Sequence, residues 1–174
     1  MAVNFQVYAD GWFDLAGSKV RCALGKGGVR AGARKREGDG ATPAGTWPIR
    51  RALYRPDRGA APVTRLILDP MWPHDGWCDA PGDDNYNQPV KLPYGASAET
   101  LWRADHVYDR IIILGYNDSP AISGAGSAIF LHLARENYAP TEGCVALAPD
   151  DLAAFFSLAG PGDSLQVLER PWRA

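Results

Sequence analysis

No apolar run in the 174-residue sequence approaches the roughly 20 residues a helix needs to cross a bilayer. Residues 1–10 alternate instead of running from a charged segment into an apolar one, so no export signal is visible either. Excess basic charge is also missing. Lys and Arg number 18 against 20 Asp and Glu, a formal net charge of -2, which argues against an electrostatically driven nucleic-acid binder. Cysteine is sparse: Cys22, Cys78 and Cys144 are odd in number, widely spaced and without a C-x-x-C pair. That excludes a disulfide framework, speaks against a zinc site and leaves at least one thiol free. Internal repeats, low-complexity linkers and long helical periodicity are lacking too, so residues 1–174 read as one domain. A domain of this size buries roughly 70% of the surface of its unfolded chain, enough to fold without a staple.

Glycine and proline, by contrast, are plentiful at 19 and 14 residues, and they cut the chain into short pieces. The expected fold is mainly β with a few short helices. Residues 4–9 alternate, Asp10-Gly11 signals a hairpin turn, residues 12–15 alternate again, and Gly17-Ser18 leads into Val20, Cys22 and Leu24. That predicts a three-stranded meander. Further strands are expected at 46–54, 64–68, 110–116, 127–133 and 164–168, with Ile111 to Leu114 apolar enough for burial on both faces. Ser97 reads as an N-cap for a short helix through Trp102, and Pro149, Asp150 and Asp151 open another through Leu158, ended by Gly160-Pro161-Gly162. Residues 69–93 form a long aperiodic stretch whose Trp72, Trp77 and Tyr86 speak against disorder. An ordered excursion forming one wall of a cleft is expected there.

Chemistry concentrates in residues 129–147, IFLHLARENYAPTEGCVAL. A strand ends at His132, and Cys144 follows twelve positions later, with Pro140 and Gly143 between them to fold the loop back. An imidazole beside a thiol can take its proton and create the thiolate that attacks a carbonyl. Gly143 permits a tight backbone approach, leaving amides around Gly143 and Cys144 to face an oxyanion. On this loop alone, the same pair is more often a structural cysteine near a hydrogen-bonded histidine than a catalytic one.

A second segment, residues 38–49 (GDGATPAGTWPI), carries a Thr-Pro-x-Gly-Thr-aromatic-x-Ile pattern. Together with His132 and the run Thr141-Glu142-Gly143-Cys144, in that order and spacing, it resembles the YkuD-type L,D-transpeptidase domain over nearly the whole chain. The resemblance implies a β-sandwich of the L,D-transpeptidase catalytic type. It implies an enzyme that uses no cofactor or metal, acylates its cysteine with a peptidoglycan stem peptide and passes the acyl group to an amine. Cys144 would be the nucleophile, and His132 the general base, oriented by a backbone carbonyl. The oxyanion site would be formed by Gly143 and Cys144. Thr141 matches the family's Ser/Thr and would contact the substrate, and the Gly45 region would be scaffold.

The departures are specific. Glu142 stands where the family has His, the gap from His132 to Thr141 is only the eight residues 133 to 140, and Ala146 replaces a polar or basic residue. Glu142 either holds the acceptor's ammonium, helps take its proton, or pairs with Arg135 at the rim. Arg135 either binds a substrate carboxylate or solvates the rim. Stem peptides are the implied partners, as donor and acceptor. Outcomes in the family include 3-3 cross-links, 1-3 cross-links at the L-Ala to diaminopimelate position, and hydrolysis as an L,D-carboxypeptidase. A cell-wall binding module that has lost activity is the rival reading. The resemblance implies a periplasmic location, against which stands the absence of a visible leader. Either a leader was removed, export is unconventional, or the substrate is a cytoplasmic precursor or recycled fragment.

Other candidates read as structural. His74 and His106 have no partner at metal spacing, and Cys22 belongs to a strand's apolar face. Cys78 reads as a partly buried loop thiol. Asp83, Asp84 and Asn85 lack calcium-ligand spacing. The cluster Arg30, Arg34, Lys35 and Arg36, closed by Glu37 and Asp39, is either a solvated loop or an anion contact.

Overall fold

A computed structural model describes residues 1–173. The chain opens with the expected meander, β1 (Asn4–Tyr8), β2 (Trp12–Leu15) and β3 (Ser18–Ala23). Gly11 sits at φ +81° in the first turn, while Ala16 and Gly17 both take positive φ in the second, the geometry whose twist suits a two-residue hairpin. Alternation then decides the faces: Phe5, Val7, Phe13 and Leu15 point into the core.

After β4 (Val29–Ala31) comes β5 (Thr42–Tyr54), which begins four residues earlier than its alternation suggests because Thr42, Pro43 and Ala44 pair in parallel with β4. The remaining strands are β6 (Leu68–Pro70), β7 (Asp75–Cys78), β8 (Pro89–Lys91), β9 (Ala98–Thr100), β10 (Arg110–Leu114), β11 (Phe130–Leu133), β12 (Val145–Leu147) and β13 (Ser164–Leu168). The main sheet runs β10-β11-β12-β3-β2-β1-β13-β5-β4, and β10 also pairs with β5, so the sheet closes on itself as a barrel-like sandwich. The length of β5 makes closure possible. Its residues Gly45 to Pro48 pair with β13, and Ile49 to Tyr54 pair with β10.

The one α-helix among the described residues, α1 (Pro149–Leu158), packs into the core that the closed sheet encloses. Pro149 and the acidic first turn open it as expected, and Leu152, Phe155 and Phe156 form its apolar stripe. Phe155 packs 4.6 Å from the Phe5 ring and 5.7 Å from that of Phe13, centroid to centroid. Beyond the helix, Asp163 accepts the Gly160 amide at 2.8 Å and the Val3 amide at 2.7 Å, tying its exit to the start of β1.

The apolar run in β10 serves two cores. Ile112 and Leu114 face the cluster around α1, whereas Ile111 and Ile113 face a second cluster with Met71, Trp77, Leu101, Tyr108 and Phe130. The second core exists because residues 69–93 are ordered, as expected of the excursion, and their strands β7 and β8 join β9 in the small sheet β8-β7-β9. Trp77 from that sheet meets Phe130 edge-on at 5.1 Å. Trp77 and Tyr86 are buried, and Trp72 is exposed.

Several sequence expectations are corrected. Residues 98–100 are the strand β9, not a helix opened by Ser97. So short a segment gains little from helical bonds, and here it pairs along its whole length with β7. The strand expected at 64–68 starts only at Leu68, because Thr64 Oγ1 accepts the Leu66 amide at 3.1 Å and turns the chain. The strand expected at 127–133 starts at Phe130, after Ala128 at φ +54°. Cys78 is fully buried at the end of β7 and not a partly buried loop thiol. In the basic cluster Arg30, Arg34 and Arg36 are exposed, but Lys35 is 3% exposed, with Nζ bonded to Asp39 Oδ1 at 2.6 Å and to Arg36 O at 2.9 Å.

Candidate active site

β11 and β12 lie parallel, with Leu131 opposite Val145 and His132 opposite Ala146. Alternation turns Leu131 and Val145 into the α1 core, which leaves Phe130, His132 and Cys144 on the other face. Twelve residues of separation therefore become one cleft: His132 and Cys144 line the same cavity of about 340 Å³, together with Tyr108, Glu99 and Arg103.

The loop that returns the chain to Cys144 is tightly bonded. Thr141 takes part in a short parallel bridge with Gly25, donating its amide to Leu24 O at 2.9 Å and accepting the Lys26 amide at 2.8 Å. Its buried hydroxyl donates to Cys144 O at 2.7 Å and accepts the Gly143 amide at 3.1 Å. Gly143 stands at φ +139°, and a Cβ there would lie 2.9 Å from Ala41 O, so only glycine fits. The Thr-Pro-x-Gly segment meets this loop directly. Thr42 Oγ1 accepts the Gly25 amide at 2.8 Å and reaches Cys144 O at 3.5 Å.

These bonds distinguish the two amides expected at the oxyanion site. The Gly143 amide is spent on Thr141 and is not free to face an oxyanion; the Cys144 amide has no bonded partner among the described residues. Thr141, expected at the substrate, lines the cleft but uses its hydroxyl within the loop. Glu142 is exposed and pairs with Lys26 Nζ at 2.8 Å, not with Arg135. The reason is the bridge just described, which sets Lys26 beside the Thr141 segment. Arg135 is exposed at the rim of the cleft and makes no ion pair among the described residues.

The thiol accepts the Phe130 amide at 3.3 Å and donates to Ala128 O at 3.2 Å. No hydrogen bond joins it to His132 among the described residues. Burial first, and then the Glu99 carboxylate, push the thiol up to about 12, against the Phe130 N–H that favours the thiolate. His132 Nδ1 lies 2.9 Å from Leu133 O. A carbonyl only accepts, so Nδ1 carries the hydrogen and Nε2 of the neutral ring is left as a base. Burial, above all, holds this imidazole down to about 4; Arg135 and Arg103 add to the depression, and Leu133 O opposes it. The resting pair is thus a neutral thiol and a neutral imidazole.

Three further residues shape the cleft without having been singled out for it in the sequence. The Tyr108 ring packs edge-on against His132 at 5.2 Å and against Phe130 at 6.0 Å. Its hydroxyl donates to Glu99 Oε1 at 2.5 Å. Arg103 lies over the Tyr108 ring at 5.2 Å and is held by Asp105, whose carboxyl that hydrogen-bonded guanidinium brings down to about 2. No local signal points to this trio, since Glu99 reaches the cleft only through the pairing of β9 with β7.

A larger cleft, about 790 Å³, opens between β5 and the small sheet and holds neither Cys144 nor His132. His74 and His106 are exposed, and His106 pairs with Asp109 at 2.7 Å. Among the described residues no group of three His, Cys, Asp or Glu is placed to hold a metal.

Compared with known proteins, residues 5–167 match one family model, described as YkuD: L,D-transpeptidase catalytic domain. No curated protein and no solved structure matches the chain.

Proposed function

Because the chain belongs to the L,D-transpeptidase catalytic-domain family, we propose that it is a cysteine-dependent acyltransferase joining peptidoglycan stem peptides. Residues 1–174 then form one catalytic domain, and the closed sheet is the family's sandwich. The observation that carries this reading is the placement of Cys144 and His132 in one cleft, with Nε2 left unprotonated.

The resting thiol turns from Ala128 O toward His132, whose Nε2 takes its proton. Substrate contact drives the step, since the free pair is neutral. The thiolate attacks the donor's carbonyl carbon, and the Cys144 amide donates to the resulting oxyanion. His132 returns the proton to the leaving amine, which departs and leaves a thioester on Cys144. An acceptor amine then attacks the thioester, His132 takes the proton it releases, and the thiolate leaves and is reprotonated. The Phe130 amide, 3.3 Å from Sγ, favours the thiolate in both steps. Arg135, at the rim with no ion pair, is placed to receive a stem carboxylate.

Water attacking the same thioester gives an L,D-carboxypeptidase. The short loop 133–140 reshapes the donor side, which adds the 1-3 linkage to the 3-3 linkage as a product of transfer. Since assembled peptidoglycan lies outside the cytoplasmic membrane, the site of action in this reading is periplasmic. No helix among the described residues is long and apolar enough to cross a membrane. Incubation with disaccharide tetrapeptide followed by mass spectrometry tests the reading. Dimers support transfer, trimmed monomers support hydrolysis, and no turnover leaves a binding module. Fragmentation of any dimer distinguishes 1-3 from 3-3 linkage.

A further inference from the structure

Aminolysis needs two proton acceptors, whereas the pair described above supplies one. An acceptor amine arrives as an ammonium ion at neutral pH and must lose one proton before it can attack and a second as the new amide forms. Once the leaving amine has carried off the first proton, His132 is neutral and can take only the second. Resting on the acyl-transfer reading, we propose that Glu99 is the base that deprotonates the incoming ammonium, and that Asp79 holds that cation beside it. In this step one N–H bond of the ammonium breaks and an O–H bond forms on the Glu99 carboxylate. The products are a neutral amine and a carboxylic acid, which later releases its proton to water.

Position supports the assignment. Glu99 and Asp79 line the same cavity as Cys144 and His132. The β7–β9 pairing brings them there: Trp77 lies opposite Glu99, Cys78 lies opposite Ala98, and the Asp79 amide continues the ladder to Ser97 O at 3.2 Å. Asp79 Oδ1 is shut off from solvent and has no hydrogen-bond partner among the described residues. A carboxylate oxygen in that state is costly unless a donor arrives, and an ammonium ion is such a donor.

Of the cations lining the cavity, Arg135 stands exposed at the rim, and the two deeper ones are committed elsewhere. Arg103 is bound by both oxygens of Asp105, at 2.8 and 2.6 Å. Lys35 is held by Asp39 and Arg36 O. Of the other acids lining the cavity, Glu37 already accepts Tyr86 Oη at 2.5 Å and Ser127 Oγ at 2.7 Å, and Glu142 is paired with Lys26. Glu99 and Asp79 have no ion pair among the described residues, and Glu99 takes a single hydrogen bond, from Tyr108. Burial raises the Glu99 carboxyl, with Asp79 and Glu37 adding to the rise and Tyr108 and Arg103 opposing it. The shift is toward the basicity that proton transfer from an amine uses. Its nearness to Cys144 is reflected in the thiol, which the Glu99 charge helps to hold up.

The test uses the full chain with disaccharide tetrapeptide as both donor and acceptor, following the Cys144 thioester and the dimer separately by mass spectrometry. Glu99→Gln keeps the size of the side chain and an acceptor for Tyr108. The expected result is thioester formation no slower than in wild type, because loss of the Glu99 charge eases thiolate formation, and dimer formation reduced roughly 10²-fold, the lower range for loss of a general base. Thioester should accumulate or hydrolyse, and dimer formation should recover as rising pH deprotonates the amine in solution. Asp79→Asn should raise the acceptor KM more than it lowers kcat. Dimer formation by Glu99→Gln at the wild-type rate with the wild-type pH profile overturns the proposal. So does a parallel fall in thioester and dimer formation in both variants, which marks a structural role. A wild-type enzyme that forms no thioester fails at the earlier step and rejects the acyl-transfer reading itself.

Discussion

The hydroxyl of Thr141 donates to the carbonyl of Cys144 across 2.7 Å while accepting the Gly143 amide at 3.1 Å, so one side chain sets the backbone on both sides of the bond entering the thiol residue. Thr141→Val should leave the Gly143 amide unsatisfied and Cys144 O with only the 3.5 Å contact from Thr42 Oγ1, and cost about 1–3 kcal/mol in denaturant unfolding. Thr141→Ser keeps the hydroxyl and should stay within about 1 kcal/mol of wild type. Equal losses in the two variants would show that the methyl group, not the hydroxyl, matters.

Gly143 offers a sharper probe of the same loop. At φ +139° and with Ala41 O 2.9 Å from a built Cβ, Gly143→Ala must move backbone against backbone. A loss of about 1–3 kcal/mol is expected from that conformation, together with a loss of thioester formation, because the Cys144 amide moves with it. A Gly143→Ala protein that acylates like wild type contradicts the geometry.

His132 should leave a signature in the pH dependence of stability. Its folded value is depressed from 6.5 to about 4, chiefly by burial, so between those values the unfolded state binds more protons than the folded state. Stability from this group is intact above pH 6.5 and is lost as pH falls toward 4. The loss is at most about 3 kcal/mol for a shift of this size. Unfolding followed from pH 7 to pH 4 should show this slope in wild type and a shallower one in His132→Gln.

The Lys26–Glu142 pair should matter little to stability. Both side chains are more than half exposed, and exposed pairs contribute about 0–1 kcal/mol, less as salt rises. Glu142→Gln should therefore unfold within about 1 kcal/mol of wild type. A larger loss would mean that the 2.8 Å contact organises the bridge between Gly25 and Thr141.

What could be read in the sequence follows from the range of the interactions involved. The meander, α1 and β10 announce themselves through local alternation, turn residues and an apolar run, and each lies where those signals put it. Cys144 and His132 share a cleft because the chain between them is short and turns back. Glu99 illustrates the opposite case. A three-residue strand has no period to read, and its partner Trp77 lies 22 positions away, so only tertiary pairing brings the carboxylate to the cleft. Lys35 looks like one of four solvated cations until Asp39 folds over it. The Gly143 amide looks free until the Thr141 hydroxyl is placed.

The central claim is that Cys144 carries the acyl group. Intact-protein mass spectrometry of wild type and Cys144→Ala, quenched in acid after mixing with disaccharide tetrapeptide, tests it most directly. The expected result is an adduct of the donor minus its leaving group on wild type, released by hydroxylamine and absent from Cys144→Ala, with dimers formed by wild type alone. Dimers formed by Cys144→Ala, or a donor adduct mapped to Cys22 or Cys78, would contradict it.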